Sequence, residues 1–467
     1  MPDDLWRHDA GTLAGLIRGG QVSATEVVQA HLDRIAAVNP ALNAVVVVLA
    51  EQALAQARVA DQALAAGAAT GPLHGVPFTV KENIDVAGTA TTSGVPALAQ
   101  AVSPVDAPIV ARLRAAGAIP VGRTNLPDLG LRVHTDSSLR GLTRNPWHPG
   151  RTAGGSSGGE AAAIATGMSP LGLGNDLGGS LRNPAHCCGI AALKPSTHRL
   201  PMAMAIPPQD LPMAFQLMAT DGPMARRVAD LRQALAIMAG PDPRDPYCVP
   251  APLHQPPAGP VPVALVARPP GGDTHPEVAA AVLRAGEYLE AAGYPVAELT
   301  PPEYEQVVAC WGDTLVSDLR AMRPALDPVL GADARTFLDH TDALYPRLDP
   351  AGIAAVHLRR YALARAWSAF MDRYPLILSP VWTQPAFEAG FDVSSPAAAG
   401  VVLSLMRPVL PANLLGLPAT VVPCGTADGL PVGVQCTGRR FREDQCLDAA
   451  EAIEAAAGVP TPIDPSW

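Results

Sequence analysis

No stretch of this 467-residue chain approaches the roughly 18 unbroken apolar residues that a membrane helix needs. The run Val45-Val46-Val47-Val48-Leu49 is far shorter and β-branched, and reads as a buried strand. The opening residues, Met1-Pro2-Asp3-Asp4-Leu5-Trp6, are acidic where a secretory leader would be basic, and no apolar core follows them. A cytoplasmic protein that does not engage a membrane is therefore expected. CxxC pairs are missing as well. The seven cysteines (187, 188, 248, 310, 424, 436 and 446) are scattered and odd in number, which argues for reduced core thiols. The eleven histidines form no HExxH and no pair at ligand spacing around a carboxylate, so no metal site is expected. Cations are outnumbered, 33 Lys and Arg against 43 Asp and Glu for a formal charge of −10, which makes nucleic acid a poor partner.

What is present is a chain with 48% hydrophobic residues, long enough to bury a large core. Ser23-Ala24-Thr25-Glu26 is a capping-box pattern, and the helix it opens should place Val28, Leu32 and Ile35 on one face and end before Asn39-Pro40. An Ala-rich helix near 50–66 follows the valine strand. The extended piece Gly75-Val76-Pro77-Phe78-Thr79-Val80-Lys81 comes next, then a short helix at 107–116 and the strand-like Ile119-Pro120-Val121. This alternation is that of an α/β fold. From about 200 to 400 proline clusters and faint patterning predict a loop-rich excursion or cap, with order resuming in a helix around Ala354–Met371 and a strand at Leu376-Ile377-Leu378. Asp428-Gly429 between Thr420-Val421-Val422 and Val432-Gly433-Val434 signals a tight hairpin.

The segment "RTAGGSSGGE", residues 151–160, admits three readings. A phosphate-binding loop requires lysine after its last glycine, but Glu160 follows Gly159, and the downstream Gly172, Gly174 and Gly178 miss the GxGxxG spacing by one residue. Gly154-Gly155-Ser156-Ser157-Gly158 fits the GxSxG elbow of serine hydrolases, yet no strand precedes it and the last histidine, His357, has no strand context. The third reading starts at Asp176-Leu177-Gly178-Gly179-Ser180-Leu181-Arg182. Two glycines before a serine let the backbone approach a ligand and turn N–H groups toward it, as an oxyanion hole requires. Ser180 becomes a candidate nucleophile, and Lys81, closing an apolar run, a candidate base.

These residues spell a family pattern. "GGSSGGEAAAIATGMSPLGLGNDLGGSLRNPAHCCGIAALKPS" resembles the amidase signature of serine hydrolases that use a Ser-cis-Ser-Lys triad. "GPLHGVPFTVKENIDVAG", "DAPIVARLRAAGAIPVGRTNLPDLG", "GPMARRVADLRQALAIMAG" and "NLLGLPATVVPCGTADGLPVGVQ" are similar to further family blocks, over most of 5–240 and 374–456. The resemblance implies a single α/β domain over 1–467, with a large central mixed β-sheet flanked by α-helices on both faces and a variable, substrate-shaping region near 200–400. It implies hydrolysis of an amide, or of a carbamate or ester, without metal or cofactor, by a monomer or homodimer. Ser180 would be the nucleophile, Ser156 the bridging serine on a cis peptide, and Lys81 the base. The N–H groups of Leu177, Gly178, Gly179 and Ser180 would form the oxyanion hole, with Ser157, Asp176 and Arg182 in support. An amidotransferase subunit passing ammonia to a partner enzyme resembles the same family and is the alternative of a different class.

Chemistry constrains this allocation. A serine hydroxyl attacks poorly until a neighbour takes its proton, and lysine can do so only when neutral. The Lys81 pKa would have to fall from near 10.4 to about 7, roughly 4 kcal/mol of burial or like-charge cost, which predicts a water-poor pocket. Four positions depart from the common pattern: Glu82, Asp128, Asn175 and His198 stand where aspartate, glutamate, serine or threonine, and glycine are usual. Asp106 and Asn125 resemble family positions and read equally well as cap and turn residues. The variable stretch offers Met202, Met204, Met213, Trp311, Tyr361, Trp367, Trp382 and Phe387, each expected in the core. Its apolar texture favours a small uncharged, partly hydrophobic or aryl amide.

Overall fold

The computed structural model describes residues 2–207, 209–257, 259–465 and 467. Its strands are β1 (Val45–Val48), β2 (Pro77–Lys81), β3 (Ile119–Thr124), β4 (Asp136–Ser137), β5 (Gly141–Leu142), β6 (Leu171–Asp176), β7 (Ala191–Lys194), β8 (Thr220–Ala225), β9 (Val263–Leu265), β10 (Val296–Glu298), β11 (Leu376–Pro380), β12 (Ala419–Ala427) and β13 (Leu430–Gly438). Eleven of them form one mixed sheet in the order β1-β3-β2-β6-β8-β7-β12-β13-β11-β9-β10, and β4 and β5 pair separately. The sheet is flanked by helices, the α/β architecture that the alternation predicted.

The capping box is present: Ser23 and Glu26 bond reciprocally, and the helix Ala24–Leu42 buries Val28, Leu32 and Ile35. That helix does not stop before Asn39-Pro40. Pro40 sits in its last turn, where a missing N–H costs one bond, and the Asn39 side chain accepts from the N–H groups of Ala44 and Val45, both at 2.9 Å. The valine run is a strand but not a buried one. β1 lies at the sheet edge, where it pairs with β3, and Val48 is 45% exposed. The Ala-rich helix, Ala50–Ala65, and the helix Pro108–Ala115 fall where expected. At the hairpin, Asp428 and Gly429 both take positive φ, 51° and 75°, the conformation their dipeptide signalled.

The region from 200 to 400 is not loop-rich. It holds the helices Pro276–Ala291, Tyr304–Leu326, Ala332–Asp342 and Pro350–Arg373, and its strands β8, β9 and β10 join the main sheet. The helix Pro350–Arg373 falls where one was expected around Ala354–Met371, although over its 24 residues only Val356, Leu363, Trp367 and Met371 are buried. Six of the seven cysteines are buried and all are free. Among the described residues, no helix is long and apolar enough to cross a membrane.

Candidate active site

β2 and β6 are parallel neighbours, so their carboxyl ends bring Lys81 and the pair Asn175-Asp176 to the same edge of the sheet. The glycine-serine loop meets them there and becomes the helix Gly158–Ala165 directly after Ser157. No side chain fits at Gly155, where a Cβ would stand 2.5 Å from the Val133 carbonyl carbon. The Gly155–Ser156 peptide is cis.

Lys81 is fully buried, and its Nζ donates to Ser156 Oγ at 2.7 Å and to Asn175 Oδ1 at 2.6 Å. Burial pushes its pKa down to about 7, against the pull of the Asp176, Asp221 and Glu160 charges. Ser156 and Ser180 line one cavity of about 470 Å³, together with Asn175, Asp176 and Leu177. The remaining wall is mostly apolar, with Ile84, Val95, Met202, Met204, Phe215, Leu319 and Met322. Its size and lining suit a small organic ligand.

The turn from Asp176 to Ser180 is held by one carboxylate. Asp176 accepts from the N–H groups of Gly179 at 2.7 Å and Leu181 at 3.2 Å, from Arg182 Nε at 3.0 Å and from Asn413 Nδ2 at 2.9 Å. Burial alone would raise its pKa, but the Arg182 guanidinium, the Lys194 charge and the Asn413 amide together outweigh it and hold the carboxyl well below the usual range. Arg182, fully buried, also donates to Val409 O, Gln435 Oε1 and Asn413 Oδ1. Two carbonyls of the turn are taken by side chains that do not line the cavity: Leu177 O accepts from the Trp311 indole at 3.1 Å, and Gly178 O from Asn183 Nδ2 at 3.2 Å. Among the described residues no acceptor meets the N–H groups of Leu177, Gly178 and Ser180. The Gly179 N–H differs from the other three named on family grounds, since it is spent on Asp176. The Ser157 N–H donates to Ser180 O at 3.2 Å, tying the two serine loops together.

The departures from the common pattern have distinct surroundings. Glu82 pairs with Arg140 at 2.5 Å, and Asp128 accepts from Ser138 and from the Gly331 N–H. His198 has φ +71°, a conformation that accounts for glycine being usual there. Asn175 touches Lys81 itself, which sequence reasoning missed although it singled the residue out. Glu160, used only to reject a phosphate loop, is buried beneath the site, bonded by Thr79 and Thr124 and pushed up to about 7 by burial. Asp221, in β8, also lines the cavity and was missed. Its one signal is a carboxylate directly before Gly222-Pro223-Met224 in an otherwise uncharged strand. Of the side chains expected in the core, Met202 and Met204 line the cavity, Met213 and Tyr361 are exposed, and Trp311, Trp367, Trp382 and Phe387 are buried. Asp106 accepts from the Ala87 N–H and Asn125 donates to Gly141 O. One group with ligand-like spacing, His275, Glu277 and Asp428, lies outside the cavity, where Glu277 accepts from the Asp428 N–H at the hairpin tip.

The family model for Amidase matches residues 26–447. The chain belongs to the amidase family. It is a hydrolase acting on carbon-nitrogen bonds other than peptide bonds. It is 44% identical to an indoleacetamide hydrolase of Bradyrhizobium diazoefficiens over 458 residues, 97% of this chain and 87% of that protein. It is 34% identical to a glutamyl-tRNA(Gln) amidotransferase subunit of a Synechococcus strain over 493 residues, 98% of this chain and 97% of that one. Among solved structures it resembles 6-aminohexanoate cyclic dimer hydrolase complexed with substrate, with a TM-score of 0.85, 30% identity and 99% of each chain covered.

Proposed function

We propose that this amidase cleaves a small, uncharged, partly apolar or aryl amide through an acyl-enzyme on Ser180. Neutral Lys81 takes a proton from Ser156 Oγ as Ser156 takes one from Ser180 Oγ, and the freed Ser180 oxygen bonds to the amide carbon. The N–H groups of Leu177, Gly178 and Ser180 receive the negative charge that develops on the carbonyl oxygen. The C–N bond then breaks as the proton returns from Lys81 through Ser156 to the leaving nitrogen, and water releases the acid by the reverse sequence. Asp176 and Arg182 act by fixing the turn. The observation that carries the reading is the 2.7 Å contact of buried Lys81 with Ser156, beside a cavity that Ser180 also lines.

An arylacetamide such as indole-3-acetamide suits the apolar walls, in keeping with the 44% identical relative. Esters and carbamates would gain from the same N–H groups and are close variants. Ammonia transfer from glutamine is less well served, because among the described residues no arginine lines the cavity to meet a substrate carboxylate. A fluorophosphonate should add its mass to the peptide holding Ser180, and a panel of aryl amides, p-nitroanilides, carbamates, esters and glutamine should be turned over best as aryl amides, and not at all by Ser180→Ala. Labelling at Ser156 instead, or glutamine as the preferred substrate, would overturn the assignment.

A further inference from the structure

Three carboxylates line the cavity, and two of them are fully engaged. Asp85 accepts from Thr91 Oγ1 and from the Ala205 N–H, both at 2.6 Å, and Asp176 is held by Arg182, Asn413 and two backbone N–H groups. Asp221 is the third. It is only 6% exposed, yet among the described residues no donor reaches its carboxylate. In β8 it stands directly opposite Asn175 of β6, so both side chains project from the same face of the sheet, close enough to neighbour one another. Lys81 does not satisfy it, because the ammonium donates to Ser156 and Asn175. A buried carboxylate without a donor is costly to keep, and a site built around such a group discriminates strongly for a ligand that brings the donor.

We infer that Asp221 is a specificity residue: it accepts a hydrogen bond from a ring N–H on the otherwise apolar acyl group of the amide. The substrate class narrows from aryl amides in general to heteroaryl amides with a donor on the ring. A neutral ring N–H matches a cavity whose lining includes Met202, Met204, Phe215 and Ala219 and whose other two carboxylates, Asp85 and Asp176, already have their donors. This inference rests on the amide-hydrolase reading above and goes beyond it by assigning the group that chooses the acyl part.

The test compares indole-3-acetamide with 1-benzothiophene-3-acetamide, which has nearly the same shape and no donor. For the wild type, kcat/KM should favour the indole by about 10- to 100-fold, mainly through KM. In Asp221→Leu that ratio should fall close to one, and Asp221→Asn, which keeps an acceptor oxygen, should restore part of it. The same ratio should appear in Kd measured by titrating the two amides into Ser180→Ala, a readout that needs no turnover. Equal use of both amides by the wild type, or an unchanged ratio in Asp221→Leu, would overturn the inference. Absence of turnover with discrimination retained in the Kd ratio would instead count against the hydrolase reading.

Discussion

Lys81 and Lys194 are the only two lysines in the chain, and the fold treats them alike up to a point. Each closes a strand, β2 or β7, each is fully buried, and burial pushes each down to about 7. They part at the nitrogen. Lys81 faces the Ser156 hydroxyl and the Asn175 amide oxygen at the cavity, whereas Lys194 donates to the backbone carbonyls of Pro195 at 3.0 Å and Leu417 at 2.8 Å. A hydroxyl can hand a proton on, and a carbonyl has none to give. Burial lowers both lysines alike, and the neighbours decide whether the amine can serve the proposed chemistry or ties β7 to the loop before β12.

The sharpest way to break this comparison is to replace each lysine by methionine. Lys81→Met should lower kcat/KM by about a thousandfold or more with circular dichroism unchanged, as loss of a general base for a serine nucleophile does. If Lys194→Met loses turnover to the same extent while still folded, the distinction fails. Next in size is Asn175. Asn175→Leu removes an acceptor that favours the ammonium form, so activity should fall about 10- to 100-fold while the acid limb of the pH profile moves to lower pH; Asn175→Asp should move that limb up.

In the wild type, kcat/KM should rise about tenfold per pH unit below 7 and level off above it, because the proposed base, Lys81, would have to lose its proton to act. The same limb should survive in Lys194→Met. Stability should carry a related signature. Both lysines have folded values below the unfolded value of 10.5, so the unfolded chain binds more protons between about 7 and 10.5. Their contribution to stability is therefore least favourable below about pH 7 and improves as pH rises through that window. The slope should shrink in either methionine variant. The smallest effect is thermodynamic: Lys194→Met should cost about 1 to 3 kcal/mol by leaving two carbonyls without a donor, read from chemical unfolding curves.

Much of the layout was legible because local chemistry and global fold agree. The Ser23-Glu26 box, the Asp428-Gly429 turn and the Gly178-Gly179-Ser180 turn each need particular residues whatever surrounds them. Less legible was anything decided by position in the sheet. Val45–Val48 has the composition of an interior strand, and only the strand order puts it at the edge. The helix around Ala354–Met371 was legible, whereas Pro276–Ala291 and Tyr304–Leu326 escaped because their prolines, Pro276 in the first turn and Pro324 in the last, are tolerated there, as Pro40 is in its last turn. At the site, Lys81, Ser156 and Ser180 stand in recognisable strings, but Asn175 and Asp221 gain meaning only when β6 and β8 pair and set them side by side.

The burial of both lysines also gives the molecule a built-in clock. In the folded protein neither side-chain amine meets solvent, so an amine-acylating reagent reaches them only through opening. Acylation of Lys81 would time the loosening of the cavity wall, and acylation of Lys194 the separation of β7 from the loop that carries Leu417. The two labelling rates, followed by mass in the same sample, would separate breathing of the pocket from opening of the scaffold.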